Sequence, residues 1–149
     1  MMFFGCIAAA LLAGFVLAPQ ADAAVVTRLR LFGSVAFPDA DPDTRPQIGP
    51  QPLVVGVSVV GRTGVPWTLT VQADSDLTSG ASVIPISNVG WAAATPFQSG
   101  TLSTAVPVQI ASGVSHTMTT ARLDFFLTNS WTYVPGLYTA TATFTLAAP

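Results

Sequence analysis

Hydrophobic and polar residues alternate with a period of two along most of the chain after residue 23. This period is typical of a β-strand with one buried face, whereas an amphipathic helix repeats every 3.6 residues. In residues 67–73, for example, Trp67, Leu69 and Val71 fall on one face, and two threonines and a glutamine fall on the other. No segment of useful length has the helical period, so the pattern predicts an all-β protein.

Several other segments predict strands for the same reason. In residues 25–31, Val25, Leu29 and Leu31 share one face, and two arginines lie on the other. In residues 121–131, alternate apolar residues again point inward. Residues 53–60 are almost entirely apolar, which predicts a strand buried on both faces. Shorter or less regular strands are predicted in residues 83–86, 89–92 and 102–111.

The C-terminal segment has the most regular alternation in the chain. Its inward face would consist of Tyr138, Ala140, Ala142, Phe144 and Leu146, and four threonines occupy the positions between them. Threonine favours the strand conformation and gives the solvent-facing side polarity without charge. Seven to nine such strands, separated by turns, predict a single antiparallel β-sandwich of the immunoglobulin-like or Greek-key type.

Prolines interrupt this pattern in two places. Residues 37–52 contain five prolines, which disfavour both a helix and a central strand. We therefore expect a proline-rich surface loop or a crossing between sheets at residues 38–52, long enough to be a candidate functional element. Pro107 lies within the strand predicted at 102–111, which indicates an edge strand or a bulge.

The N-terminal residues 1–23 have the features of a cleavable signal peptide. An apolar run from Ile7 to Ala18 is followed by Pro19 and then by a small-x-small site that ends at Ala23. The run is too short to span a bilayer. Residues 24–149 are then expected to form one secreted domain without a membrane span. The only cysteine, Cys6, lies in the segment predicted to be removed, so no disulfide is expected.

The chain carries unusually little charge. Charged residues make up 8% of the sequence, against roughly a quarter in an ordinary soluble domain, and the net charge is −2. Nucleic acid is not an expected partner, because the chain has no basic region that would attract phosphates. A poorly charged surface favours coverage by a wall polymer or by copies of the same chain, and the alternative is a surface rich in threonine and serine that is simply neutral.

Residues suited to catalysis are scarce. His116 is the only histidine, no serine nucleophile motif is present, and the chain contains no glutamate. Asp74 and Asp76 could form a pair of catalytic carboxylates, but their surroundings also predict a turn. We therefore expect a protein that is not an enzyme and has no cofactor.

Two groups of residues could bind a ligand. Asp39, Asp41 and Asp43 alternate in the proline-rich loop and could converge on calcium, although the same residues are common turn formers. Trp91 and Trp131 each lie near a predicted turn, where an exposed indole could stack on a sugar ring. Tryptophan is more often buried, and burial is the favoured expectation for all three tryptophans, most strongly for Trp67.

The C-terminal sequence PGLYTATATFTLAAP resembles the closing motif of the WxL family of bacterial cell-surface domains. Trp67-Thr68-Leu69 is similar to the first Trp-x-Leu motif of that family, and Phe144-Thr145-Leu146 occupies the place of the second, with phenylalanine instead of tryptophan. The resemblance extends to Tyr138. It implies a non-catalytic β-sandwich that attaches to the cell wall through peptidoglycan, often beside other surface proteins.

The same C-terminal sequence is also similar to that of secreted pilin and spore-coat-like subunits. Such subunits polymerise by donating a strand to the open edge of the next copy. The absence of lysine suits strand addition, because lysines on edge strands prevent it. The sequence therefore predicts an extracellular surface module that binds wall polysaccharide or other surface proteins, with a self-assembling homopolymer as the alternative.

Overall fold

A computed structural model describes residues 24–149 of the protein, and the predicted signal peptide lies outside the described residues. This part of the chain contains ten β-strands and one short 3₁₀ turn, Ile86–Asn88, but no α-helix. The strands are β1 Val26–Phe32, β2 Gln47–Val60, β3 Pro66–Ala73, β4 Leu77–Ser79, β5 Ser82–Ile84, β6 Val89–Ala93, β7 Gly100–Thr101, β8 Val108–Val114, β9 Thr117–Thr128 and β10 Ala142–Ala147. The prediction of an all-β protein is confirmed.

The strands form two main antiparallel sheets and a small hairpin. The first sheet has the order β1-β2-β9-β6-β7, the second has the order β10-β3-β8, and β4 pairs with β5. Inward side chains of both main sheets belong to one hydrophobic core. At the margins of the sheets, β1 lies beside β10 and β7 lies beside β8. This arrangement is consistent with a β-sandwich.

The alternation read from the sequence correctly identifies the core face of the central strands. On β3, Trp67, Leu69 and Val71 are buried while Thr68 is exposed. On β9, the three inward residues expected from the pattern are also buried: Leu123, Phe125 and Leu127. Side chains at positions i and i+2 of a strand share a face, which is why this part of the prediction holds.

The second strand departs from its prediction in two ways. It begins at Gln47 and so includes Pro50 and Pro52, because β1 pairs only with residues 54–60 and leaves the start of β2 with a single neighbour. A proline is tolerated where one edge of a strand is free, and the ladder with β9 is irregular between Ile48 and Gln51. Residues 53–60 are also not buried on both faces, since only the inward positions are fully covered.

Three other strands begin or end away from the predicted positions. The last strand begins at Ala142 rather than at Tyr138, because the preceding segment leaves β3 and makes only an isolated bridge, Thr78 to Thr139, with β4. The strand after Pro107 starts at Val108, lies at an edge and has a bulge opposite Leu69 and Thr70, as expected from the proline. The strand predicted at 121–131 occupies Thr117–Thr128.

The first strand is only weakly buried. Leu29 is half-buried as expected, but Leu31 is 44% exposed although it faces the core side of the sheet. The second sheet has three strands against five in the first, so it covers this edge incompletely. β1 therefore contributes backbone pairing to β2 but little apolar burial.

Candidate functional site

A groove of about 1010 Å³ opens between the two sheets. Its floor consists of inward side chains near the start of β2 and the end of β9, including Ile48, Leu53 and Phe125. Phe144 and Tyr138 form part of the opposite wall, and residues 35–42, 129–131 and 133–142 line the groove as well. The remaining lining residues are apolar side chains of the core: Leu77, Ile84, Ile86, Val89, Leu102 and Leu127. The volume is at the upper end of the range for small-ligand pockets, and the lining is mainly apolar.

Trp131 lies at this groove and is the exposed tryptophan of the described chain. Its side chain is 68% exposed, and its indole Nε1–H donates a hydrogen bond of 2.9 Å to Asp43 Oδ1. The bond connects the segment after β9 to the proline-rich loop. An indole that is both exposed and held at one edge presents a fixed apolar face to a ligand.

Asn129 makes a second connection between these two segments. Its side-chain amide donates to the carbonyl of Ala40 at 2.9 Å and to the carbonyl of Arg45 at 3.2 Å. The backbone amide of Asn129 also donates to the carbonyl of Pro46. The proline-rich loop is thus fixed against the segment that carries Trp131, and the two form one rim of the groove.

Two of the three aspartates of the proline-rich loop, Asp41 and Asp43, take part in a turn. Asp41 Oδ1 accepts a hydrogen bond from the Asp43 amide at 2.9 Å, and the Asp41 carbonyl accepts from the amides of Thr44 and Arg45. Asp39 and Asp41 line the groove, whereas Asp43 accepts the hydrogen bond from the Trp131 indole. Within residues 24–149, no three acidic, histidine or cysteine residues come together as a metal site. The alternative of a calcium site formed by these aspartates is therefore not supported.

Trp91, the other candidate platform, lies in the core. It is 3% exposed, and its Nε1–H donates to the Gln98 carbonyl at 2.7 Å. Its ring packs against Phe125, with centroids 6.0 Å apart. Trp91 is therefore buried, which is the more common outcome for a tryptophan, and it offers no exposed platform, because it pairs with the inward-facing Phe125 in the β6–β9 ladder.

The two three-residue motifs that carry the WxL resemblance lie on the neighbouring strands β3 and β10, and Tyr138 precedes β10. β10 pairs with β3 so that Leu146 is opposite Leu69 and Phe144 is opposite Val71. Trp67 and Leu69 are buried, and Tyr138, Phe144 and Leu146 are half-buried against the core. The hydroxyl of Tyr138 donates to the Val134 carbonyl at 2.7 Å and so braces the segment that follows Trp131.

The acidic residues considered for catalysis have structural partners. Asp76 Oδ1 accepts a hydrogen bond from the Ile86 amide at 2.8 Å. Asp74 Oδ1 accepts from the Thr141 amide at 2.9 Å and from the Ser75 hydroxyl. The bond from the Thr141 amide is the main reason why the pKa of Asp74 is lowered, since it stabilises the ionised carboxylate. Both carboxylates hold turns together.

His116 lies in the tight turn between β8 and β9. It adopts a left-handed backbone conformation with φ 63°, and its Nε2 is 3.3 Å from the hydroxyl of Thr63. Neither aspartate discussed above is among its hydrogen-bonding partners. The position fits an exposed turn residue, since polar residues tolerate this conformation better than branched ones.

Sequence reasoning missed the groove and the position of Tyr133 in its lining. Tyr133 lines the groove, and its hydroxyl accepts a hydrogen bond of 2.7 Å from the Asn88 side chain. The available signal was the concentration of aromatic and turn-forming residues in residues 129–138, next to Trp131. These residues have no hydrophobic periodicity, so the sequence does not indicate which other segment of the chain they contact.

The described residues include no helix that is long and apolar enough to cross a membrane. In comparisons with known proteins, neither a protein-family model nor a curated protein matches this sequence.

Proposed function

We propose that this protein is a secreted, non-catalytic module of the cell surface that binds the glycan of the cell wall, with Trp131 as its stacking platform. We also propose that its sheets form a sandwich of the immunoglobulin-like or Greek-key type. The observation that carries the functional proposal is the exposed indole of Trp131, held by Asp43 at the groove. The resemblance of the C-terminal segment to WxL domains supports peptidoglycan as the glycan.

A sugar ring has apolar C–H faces and hydroxyls around its edge, so it needs a flat apolar surface bordered by polar groups. Trp131 offers the apolar surface, and Ser130 and Thr132 beside it carry hydroxyls that lie 3.0 Å apart. Asp39 and Asp41 at the groove are additional acceptors. Because the indole is held in place before binding, less conformational entropy is lost when the ligand binds.

The test is co-sedimentation with purified insoluble peptidoglycan, beside the same protein centrifuged alone. We expect the wild-type protein to pellet only with peptidoglycan and Trp131→Ala to remain largely in the supernatant. Met118→Ala is the matched control, because Met118 is also a large exposed apolar residue but lies on β9 and does not line the groove. Equal pelleting of the Trp131→Ala and Met118→Ala variants would refute the role of Trp131.

A second candidate function, self-assembly into a fibre or coat by strand exchange, is favoured by two edge strands. β10 contains no charged residue, and edge strands without charge lack a common protection against pairing with another chain. β1 is weakly buried, so its release from β2 would sacrifice little apolar contact. Under this proposal the protein alone pellets as ordered material, and deletion of the residues before Phe32 abolishes the pellet.

A further inference from the structure

The outer face of the β10-β3-β8 sheet is a regular array of uncharged polar side chains. We call it the threonine face and define it by Thr68, Thr70, Gln109, Ser112, Thr143 and Thr145. In the strand register, Thr145 lies opposite Thr70, which lies opposite Gln109, and Thr68 lies opposite Ser112. Neighbouring rows are therefore about 4.8 Å apart across the strands and about 6.7 Å apart along them.

The hydroxyls of the threonine face are available to an external partner. Thr68, Thr70, Thr143 and Thr145 form no side-chain hydrogen bond with any residue from 24 to 149. Thr68, Thr143 and Thr145 are exposed, and Thr70 is half-buried. Each hydroxyl can donate one hydrogen bond and accept others, and each threonine adds a methyl group beside it.

The sheet that carries this face has no ionisable side chain. None of β3, β8 and β10 contains an aspartate, arginine or histidine, and the chain has no lysine or glutamate. The other sheet differs, since Arg28 and Arg30 lie on β1 and an Arg122–Asp124 ion pair of 2.6 Å lies on β9. The neutrality is thus a property of the strands of this sheet, and Asp74 lies at their margin, in a small pocket that Thr143 also lines.

We propose that the threonine face binds an extended, uncharged, β-linked polysaccharide. Such a chain carries hydroxyls that both donate and accept hydrogen bonds, and these alternate with apolar C–H groups. The threonine hydroxyls of the face can bond to the hydroxyls of the polymer, and the threonine methyl groups can contact its C–H groups. A charged polymer would be disfavoured, because the face has no ions to compensate for the desolvation of the ligand's charges. This surface is separate from Trp131, so the proposal does not depend on peptidoglycan binding.

The test measures the binding of the purified protein to three insoluble neutral polymers: microcrystalline cellulose, chitin and a β-1,3-glucan. We expect binding to at least one of them, with little change between low salt and about 0.5 M salt, since no ion pairs are involved. The test variant is Thr70→Val/Thr143→Val/Thr145→Val, which removes hydroxyls but retains side-chain shape and strand propensity. The loss of three hydrogen bonds should weaken binding by at least about tenfold.

The matched control is Thr27→Val/Thr120→Val/Thr128→Val, which changes three exposed threonines of the other sheet. It should bind as the wild-type protein does. The far-ultraviolet spectrum and melting temperature of both triple variants establish that they fold, so a loss of binding reports on the face itself.

Three results would overturn the proposal. The first is an absence of binding to all three polymers, and the second is binding that both triple variants retain equally. The third is a wild-type dimer in solution that becomes monomeric only in the Thr70→Val/Thr143→Val/Thr145→Val variant. In that case the threonine face is an interface between two copies of the chain.

Discussion

Gly113 on β8 lies directly opposite Trp67 on β3, and the absence of a side chain there gives the indole its space. A Cβ atom added at Gly113 would lie 2.9 Å from Cε2, Cζ2 and Nε1 of Trp67. The indole cannot move aside easily, because it is 3% exposed and its Nε1–H donates to the Val114 carbonyl at 3.1 Å. We therefore predict that Gly113→Ala destabilises the protein.

Gly56 on β2 supplies the matched control. A Cβ atom at Gly56 would have its nearest neighbours, Arg30 Cβ and Thr120 Oγ1, at 3.7 Å, which is ordinary contact. Both glycines lie in strands with backbone angles open to alanine, so the reduced freedom of the unfolded chain stabilises both variants by about 0.4–1 kcal/mol. This contribution cancels when the two variants are compared with each other. Overpacking against Trp67 then leaves Gly113→Ala with a free energy of unfolding about 1–3 kcal/mol lower than that of Gly56→Ala.

Urea unfolding followed by tryptophan fluorescence measures this difference directly. We expect Gly113→Ala to be about 1–3 kcal/mol less stable than Gly56→Ala, with a melting temperature lower by on the order of 4 °C per kcal/mol. In a Trp67→Phe background the smaller ring should reduce the effect of Gly113→Ala, because residues in contact are coupled. Equal stability of Gly113→Ala and Gly56→Ala would refute the packing argument.

Two further predictions concern stability. Asp74→Asn should destabilise the protein at neutral pH, and the difference from wild type should disappear as the pH falls below about 4. The sign follows from the lowered pKa of Asp74, whose ionised form the Thr141 amide stabilises only in the folded state, and chemical unfolding across a pH series measures it. Leu69→Ala should lower the free energy of unfolding by about 2–5 kcal/mol, because Leu69 is fully buried. Leu137→Ala is the control, since Leu137 is exposed beside the groove, and it should change the free energy of unfolding by less than about 0.5 kcal/mol.

The sequence alone determined the fold class and the orientation of the central strands. Trp67 and Leu69 on β3 and Phe125 and Leu127 on β9 are buried as the alternation predicts. The physical reason is local, since successive side chains of any strand point to opposite sides whatever the strand pairs with. The pairing of Gly113 with Trp67 could not be predicted from this alternation, because the two residues come from distant parts of the chain.

Tertiary structure decided where the strands end and which aromatic residues reach solvent. β2 extends over Pro50 and Pro52 because β1 leaves one of its edges free, and the last strand begins only at Ala142 because the preceding residues turn toward β4. Trp91 and Trp131 lie in similar local sequences, yet one is enclosed between strands and the other is held at the groove by Asp43. Local periodicity fixes the direction of a side chain, but burial depends on what a distant segment places above it.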